Sequence, residues 1–549
     1  MKKIKIFIVS LLFIISSGFL LSFDDNDNFE IAKNLDIYYS LFRELNILYV
    51  DDTDAGKLIE TAIDAMLNSL DPYTVYYSES EIEDVRFMTT GQYGGIGALI
   101  LRVRNEVLIS DPYPNSPAIN AGLKAGDIIL EIQGKSTHNK SIDDISKALK
   151  GPPKSTVKLL IKRPGVEKPF LKSIVREKIT VPSVAYHGML NNEVAYIRLT
   201  SFTQKAGNEV KNAFLELKNE NSVKSVVLDL RGNPGGLLIE AVNIMNIFVD
   251  KGEEIVNTRG KVAQWNNVYK TMLSAVDTEI PLVVLVNRGS ASASEIVAGS
   301  MQDIDRGIII GQRTFGKGLV QTTRELSYNS RLKVTTAKYY IPSGRCIQAL
   351  DYSHRNEDGS VGKIPDSLIS EFTTRNGRKV YDGGGIEPDV KLDQNRFSKI
   401  AFNLLAENLY FEYATQYALK YDSISKPKEF QITDDEYNEF IEFVKTRDFD
   451  YETDREESLK ELIRVAKEEE YYDMAVTELE ELEKKFKHDM DKDFRLHNDE
   501  IRELLNEEII SRYYYQIGRI EANLSKDPGI LKAIEILSDS VSYNAILHN

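Results

Sequence analysis

Cysteine is almost missing from this chain: Cys346 is the only one in 549 residues. No intrachain disulfide can staple the fold, and a lone thiol makes a poor zinc site. It leaves the compartment open, because an exported protein can simply lack disulfides. Histidine is also scarce. The six are His138, His187, His354, His488, His497 and His548, and none lies in the strand–turn–helix segments described below. A positive balance is absent too. The chain has 68 basic and 84 acidic side chains, a net charge of −16, which repels phosphate backbones and excludes general nucleic-acid binding. The excess is local, with 21 acidic and 10 basic residues in 451–510. There is no fixed-period repeat and no low-complexity tract.

What is present begins with Lys2, Lys3 and Lys5 before an uncharged run from Ile6 to Phe23. A positive start followed by an apolar stretch reads as an export signal, and its length also suits a retained anchor. The chain is too long for one ordinary core, so three or four domains are expected. After the signal or anchor, 1–23, helical spacing of Leu41, Leu45 and Leu48, then Leu58, Ala62, Ala65 and Met66, predicts an N-terminal helical domain, 24–86. A strand-rich domain, 87–174, follows, in which Val157, Leu159 and Ile161 alternate with Lys158 and Lys162. Residues 175–395 alternate continuous apolar strands with amphipathic helices. Residues 396–549 turn to an acidic helical domain, striped by Leu459, Leu462, Ile463 and Ala466, then by Ala475, Leu479, Leu482 and Phe486.

In the strand-rich domain, Gly91-Gln92-Tyr93-Gly94-Gly95-Ile96-Gly97 enters a strand from Ala98 to Val103. A glycine-rich turn of this kind can aim several N–H groups into one concavity and capture a carboxylate, while the strand edge accepts a peptide as an extra strand. A short helix from Ser116-Pro117-Ala118, a strand from Ile128 to Ile132, a helix from Ser141 to Leu149 and the strand Val157–Ile161 follow. The order resembles a PDZ domain of bacterial proteases, which implies that Gly94, Gly95, Ile96 and Gly97 receive a substrate's free C-terminus.

Two later segments share one plan. Val226-Val227-Leu228-Asp229-Leu230 precedes Arg231-Gly232-Asn233-Pro234-Gly235-Gly236 and a helix carrying Leu238, Ala241, Met245 and Phe248. Leu282-Val283-Val284-Leu285-Val286 precedes Gly289-Ser290-Ala291-Ser292-Ala293-Ser294-Glu295 and a helix from Ala293 to Asp303. Runs this apolar suit strands covered on both faces in a parallel sheet, whose ligand site lies beyond the strand C-termini. One serine could merely cap the helix; three alternating with alanine ask for more. A serine nucleophile needs a base. Lys317, in Thr314-Phe315-Gly316-Lys317-Gly318-Leu319-Val320-Gln321, is a candidate, provided its surroundings keep the amine uncharged. Phe315, Leu319 and Val320 suit a dry site.

These segments, with Tyr339-Tyr340-Ile341-Pro342-Ser343-Gly344-Arg345 and Gly385-Ile386-Glu387-Pro388-Asp389, resemble the carboxyl-terminal processing peptidases, or tail-specific proteases. The resemblance runs in order from Leu70 to Val390. It implies a multidomain α+β protein: a crotonase-like α/β protease core with an inserted PDZ domain. It implies Ser292 as nucleophile, Lys317 as general base and Gln321 as its assistant, although a fully extended chain would part Lys317 from Gln321 by ~13 Å. It also suggests backbone oxyanion donors at Ala293 and Gly235 or Gly236. Asp303 matches an acidic position implicated in some members, with a helix-end role as the alternative. No metal or organic cofactor is required. Expected partners are proteins or peptides with free C-termini, an adaptor protein, and a second copy through N- or C-terminal helices; the expected location is the periplasm, with the membrane reached only through the N-terminal segment. A PDZ scaffold that binds tails without cutting is the rival reading. Cys346, expected in a strand, stands where the family often has serine, and the polar insertion 351–381 is expected as a surface loop or a protein dock.

Overall fold

The computed structural model describes residues 25–393 and 396–548, so the expected export segment lies outside the described residues. Among the described residues no helix is long and apolar enough to cross a membrane. The chain divides into two units, Met1–Tyr76 and Tyr77–Asn549. The first contains α1 (Asp25–Leu48) and α2 (Ala55–Asn68). Asp54 caps α2 by accepting from Lys57 N–H at 3.0 Å, satisfying one of the open donors of its first turn. The apolar stripe of α1 is not buried: Leu35, Leu41, Leu45 and Leu48 are exposed.

The second unit opens with α3 (Ile82–Thr90) and β1 (Gln92–Gly95). Five antiparallel strands follow, β2 (Ala98–Val103), β3 (Glu106–Pro112), β4 (Ile128–Ile132), β5 (Thr156–Lys162) and β6 (Phe170–Val175), lying side by side in that order. β7 (Glu177–Thr180) then returns to pair antiparallel with β1. The PDZ-like body thus enters and leaves through a two-stranded neck. α4 (Ile142–Leu149), started by a capping box between Ser141 and Asp144, packs Ile145 and Leu149 onto Ile96, Val157 and Ile161. β2 remains an edge strand.

The core sheet has the order β8 (Val184–Met189), β9 (Val194–Leu199), β10 (Ser225–Asp229), β11 (Leu282–Val286), β12 (Ile308–Gly311) and the short strand Val390–Lys391. All pairs are parallel except β8 with β9. Period-two alternation divides each apolar run between two faces. Val226, Leu228, Val284 and Val286 meet α5 (Ala206–Glu220), α6 (Leu238–Phe248) and α7 (Ala293–Asp303) through Phe214, Met245, Phe248, Ile296 and Met301.

The other face, Val227, Val283, Leu285, Ile308 and Ile310, is covered from the far end of the chain. Past α8 (Asn498–Asn523), Leu524 and the helices α9 (Pro528–Ser538) and α10 (Ser540–His548) bring Ile530, Ile536, Tyr543 and Leu547 onto it. The Tyr543 hydroxyl accepts from Leu282 N–H at 2.9 Å at the start of β11. The segment 396–549 is therefore divided. Its earlier helices and α8 build a separate core around Tyr410, Tyr437, Phe440 and Phe494, while its last two helices close the second face of the six-stranded sheet. Each aliphatic side chain re-exposed there costs about 1.5–3 kcal/mol against a total stability of about 5–15 kcal/mol. A chain ending at Asn523 should accordingly lose its cooperative fold and accumulate insoluble, which expression tests and circular dichroism would show.

The insertion 351–381 contains regular structure. It forms two hairpins, Leu350–Arg355 with Val361–Lys363 and Glu371–Thr373 with Lys379–Tyr381. The second is pinned to the core by Arg378, which pairs with Asp305 at 2.7 Å and Asp389 at 2.5 Å, all nearly buried. Cys346 lies in an irregular stretch instead of a strand, and burial raises its thiol pKa.

Candidate active site

Ser292 stands between β11 and α7 with φ 55° and ψ −115°, a left-handed conformation that costs a side-chain-bearing residue free energy. Its flanking serines hold that turn. Ser290 Oγ donates to Leu230 O at 2.8 Å and Ser294 Oγ donates to Asn233 O at 2.9 Å, both side chains wholly buried. The alternation seen in the sequence thus separates two pegs from one hydroxyl-bearing residue at the cleft. The glycine turn after β10 lies directly against it: a Cβ on Gly235 would come within 2.6 Å of Ala291 O and 2.8 Å of Ser292 Cβ. Only glycine fits there.

A cavity of ≈ 510 Å³ opens at this edge, and both Ser292 and Lys317 line it. Gly235, Gly236, Gln321, Lys333 and Tyr339 share its wall, together with Phe87 and Met88 of α3. None of the six histidines lines it. Lys317 is carried on the loop between β12 and β13 (Leu319–Glu325), whose hairpin partner is β14 (Arg331–Tyr340). A bulge between Val320 and Gln321 bends β13, and Gln321 reaches the same cavity as Lys317. The Gln321 amide donates to Thr335 Oγ1 at 3.2 Å. Leu319 and Val320 line the cavity as expected of apolar neighbours, whereas Phe315 faces away and is 50% exposed.

Two residues that sequence reasoning passed over tie the lysine loop to the serine turn. Glu295, one turn along α7, is fully buried. Its Oε2 accepts from Ser292 N–H at 2.8 Å and from Lys317 N–H at 2.9 Å. Its Oε1 accepts from Thr314 Oγ1 at 2.6 Å and Gly316 N–H at 2.7 Å. Burial pushes the Glu295 carboxyl up to about 7, although all four donors pull the other way. Tyr339 completes the clamp from the carbonyl side, its hydroxyl directed at Lys317 O at 2.5 Å and Ser292 O at 3.2 Å. The spacing of Glu295, three residues after Ser292, is that of a capping box and was readable as such. Tyr339 had no local signal.

The oxyanion candidates separate on geometry. Gly235 N–H already donates to Asn233 Oδ1 at 2.9 Å. Gly236 N–H has no acceptor among the described residues, and Ala293 N–H, in the first turn of α7, has no carbonyl one helical turn before it. Asp303 lies at the far end of α7, outside the cavity, in a buried pair with Arg345 at 2.8 Å. Its other oxygen accepts from Ser343 N–H at 3.0 Å. That is an anchor for the helix end. Arg231, which opens the glycine turn, is held by Asp229 at 2.6 Å and by Asp527 at 2.8 Å, so the segment before α9 grips this turn as well.

In the PDZ-like body, Gly94 and Gly95 belong to β1 and pair with Lys178 and Glu177 of the neck. A Cβ on Gly94 would lie 2.1 Å from Gly151 O, so close packing demands this glycine. Ile96 and Gly97 form the turn into β2. The carbonyl of Ile96 accepts from Ala118 N–H at 2.8 Å, and Gly97 has φ +74°.

A parallel sheet with a strained serine at the head of a helix, joined to a PDZ-like body through a neck, is the architecture of a PDZ-bearing serine protease. The sequence pattern of peptidase family S41 matches residues 193–354, a PDZ-domain pattern residues 108–163, and the C-terminal helical domain of probable PDZ-proteases residues 400–537. A carboxy-terminal-processing protease of Bartonella bacilliformis is 38% identical over 353 residues, spanning 64% of this chain and 78% of that one. A probable CtpA-like serine protease of Staphylococcus aureus is 32% identical over 395 residues, spanning 71% and 76%. Among solved structures, the photosystem II D1 C-terminal processing protease is 30% identical, spans 65% of this chain and 92% of that one, and superposes with a TM-score of 0.35. The chain belongs to the carboxy-terminal-processing proteases of peptidase family S41.

Proposed function

We propose that this protein is an exported endopeptidase that takes hold of a protein's free C-terminus and cuts peptide bonds through an acyl-enzyme on Ser292. The observation that carries this reading is that Ser292 and Lys317 line one cavity while a single carboxylate oxygen of Glu295 holds the backbone N–H of both. An uncharged Lys317 amine takes the Ser292 hydroxyl proton as Oγ bonds to the scissile carbonyl carbon. The carbonyl oxygen, now negative, is received by the N–H groups of Ala293 and Gly236, which a preorganised site makes worth about 10²–10³ in rate. The C–N bond breaks, and Lys317 returns the proton to the leaving amine. Water, deprotonated by the same amine, then releases the acyl group and restores Ser292.

Substrate capture is assigned to the edge strand β2 and the Ile96–Gly97 turn at its start, where an extended tail adds one strand to the sheet. The export assignment rests on the lysine-led apolar segment that ends at Phe23. The exposed leucines of α1 supply a surface for self-association.

The test is covalent. Mixing the protein with an acylating electrophile such as a β-lactone should add one probe mass to the peptide carrying Ser292, and none to the Ser292→Ala variant. Labelling at another serine, or none while cleavage proceeds, would overturn the assignment.

A further inference from the structure

The protein as a whole carries a net charge of −16, yet the catalytic cavity is lined by two charged side chains of the same sign, Lys317 and Lys333, and by no carboxylate among the described residues. Lys317 has its place in the chemistry. Lys333 does not.

Lys333 lies on β14 directly opposite Thr323, and Gln321 pairs with Thr335 two residues nearer the lysine loop. Residues facing each other across an antiparallel pair share a face, and i and i+2 share it too. Gln321, Thr335, Thr323 and Lys333 therefore form one wall, with Lys333 about 7 Å beyond the Gln321 rung. The next rung, Glu325 with Arg331, is an ion pair at 3.8 Å and so neutralises itself. The Lys333 ammonium has no hydrogen bond or ion pair among the described residues. It is half-buried, and withdrawal from water lowers its pKa, with no carboxylate of the chain opposing that shift. A lysine set into a cleft wall without a counter-ion leaves an electrostatic vacancy for an anion to fill.

We propose that Lys333 is a specificity-determining residue that receives a carboxylate of the substrate a few residues from the bond being cut. The proposal rests on the peptide-cleaving role of this cleft. An extended peptide repeats its same-side groups at about the rung spacing of the hairpin, so one position of the substrate comes level with the ammonium. The carboxylate is either an Asp or Glu side chain or the terminal carboxylate of a short tail.

The experiment measures kcat/KM for peptides identical except for Glu, Gln or Lys at each position flanking the cut, all with amidated ends. A second series carries Gln throughout and a free C-terminus at stepped distances. The wild-type protein should prefer Glu over Gln about tenfold at one position, mainly through KM, or prefer a free over an amidated end at one distance; these two results identify the two sources. Lys333→Met should bring that ratio to about one, Lys333→Arg should keep it, and Lys333→Glu should turn it toward Lys. Thermal melting of each variant confirms that it is folded. No preference at any position, or a preference unchanged in Lys333→Met, overturns the proposal. The cleft's peptide-cleaving role fails separately, if Ser292→Ala still cuts these peptides.

Discussion

Lys317→Ala should lower kcat by about 10⁴-fold or more while the variant melts close to the wild-type temperature. Serine hydroxyls are weak nucleophiles until a base takes their proton, and losing one member of such a pair removes most of the chemical advantage while binding and oxyanion donors remain. Lys317→Arg should not rescue, because a guanidinium is never deprotonated in a protein. Ser292→Ala should be equally inactive, and the double variant no worse than either single one, since the two groups act as a unit. Peptide hydrolysis followed under single-turnover conditions measures all four. A Lys317→Ala protein that retained a tenth of wild-type kcat would remove the lysine from its role. So would activity that survived in Lys317→Arg.

The second large effect is expected at Glu295. Its four accepted hydrogen bonds set the spacing between the proposed nucleophile and base, and a displacement of about 1 Å in such a pair costs about 10²-fold in rate. Glu295→Gln places an NH₂ group among donors, so kcat should fall about 100-fold with KM nearly unchanged. Tyr339→Phe removes the clamp from the carbonyl side and should cost about 1 kcal/mol of stability and a few-fold in kcat. A purely structural role would lower melting temperature without separating kcat from KM.

The pH dependence gives a further readout. Burial raises the Glu295 carboxyl from 4.5 to about 7, so the folded protein keeps a proton that the unfolded chain has already released. Stability from this group is present below about pH 4.5 and lost as pH rises to about 7, by on the order of 3 kcal/mol. Activity moves the other way, because only the ionised carboxylate accepts from all four donors. Chemical denaturation between pH 4 and 8 should show a steeper slope in wild type than in Glu295→Gln, which keeps the slope from Asp111, a carboxyl that burial raises to about 6.

Much of this was readable from short stretches of chain. The run Leu282–Val286 was a strand covered on both faces, and the helix expected from Ala293 to Asp303 has those bounds. What was misjudged had long-range causes. Phe315 looked like a wall of a dry site but is turned outward, because the loop's orientation is set by Gly316 and Lys317 N–H bonding to Glu295. The polar insertion 351–381 gave no sign of its two hairpins; the second is pinned by Arg378 finding Asp305 and Asp389, a pairing with no local pattern.

Periodicity, turn residues and the spacing of small residues act over some five to fifteen positions, so the amino-acid order alone determined the strands, the elbow serine, the glycine turn and the lysine loop. Tertiary structure decided which side chains those elements share. Residues more than 200 positions after β11 close the second face of its sheet, Tyr339 and Glu295 bring the backbones of Ser292 and Lys317 together, and Lys333 turns into the cleft. Contacts of that range follow from how layers stack and which groups burial leaves in need of partners, and nothing in the neighbouring sequence records them.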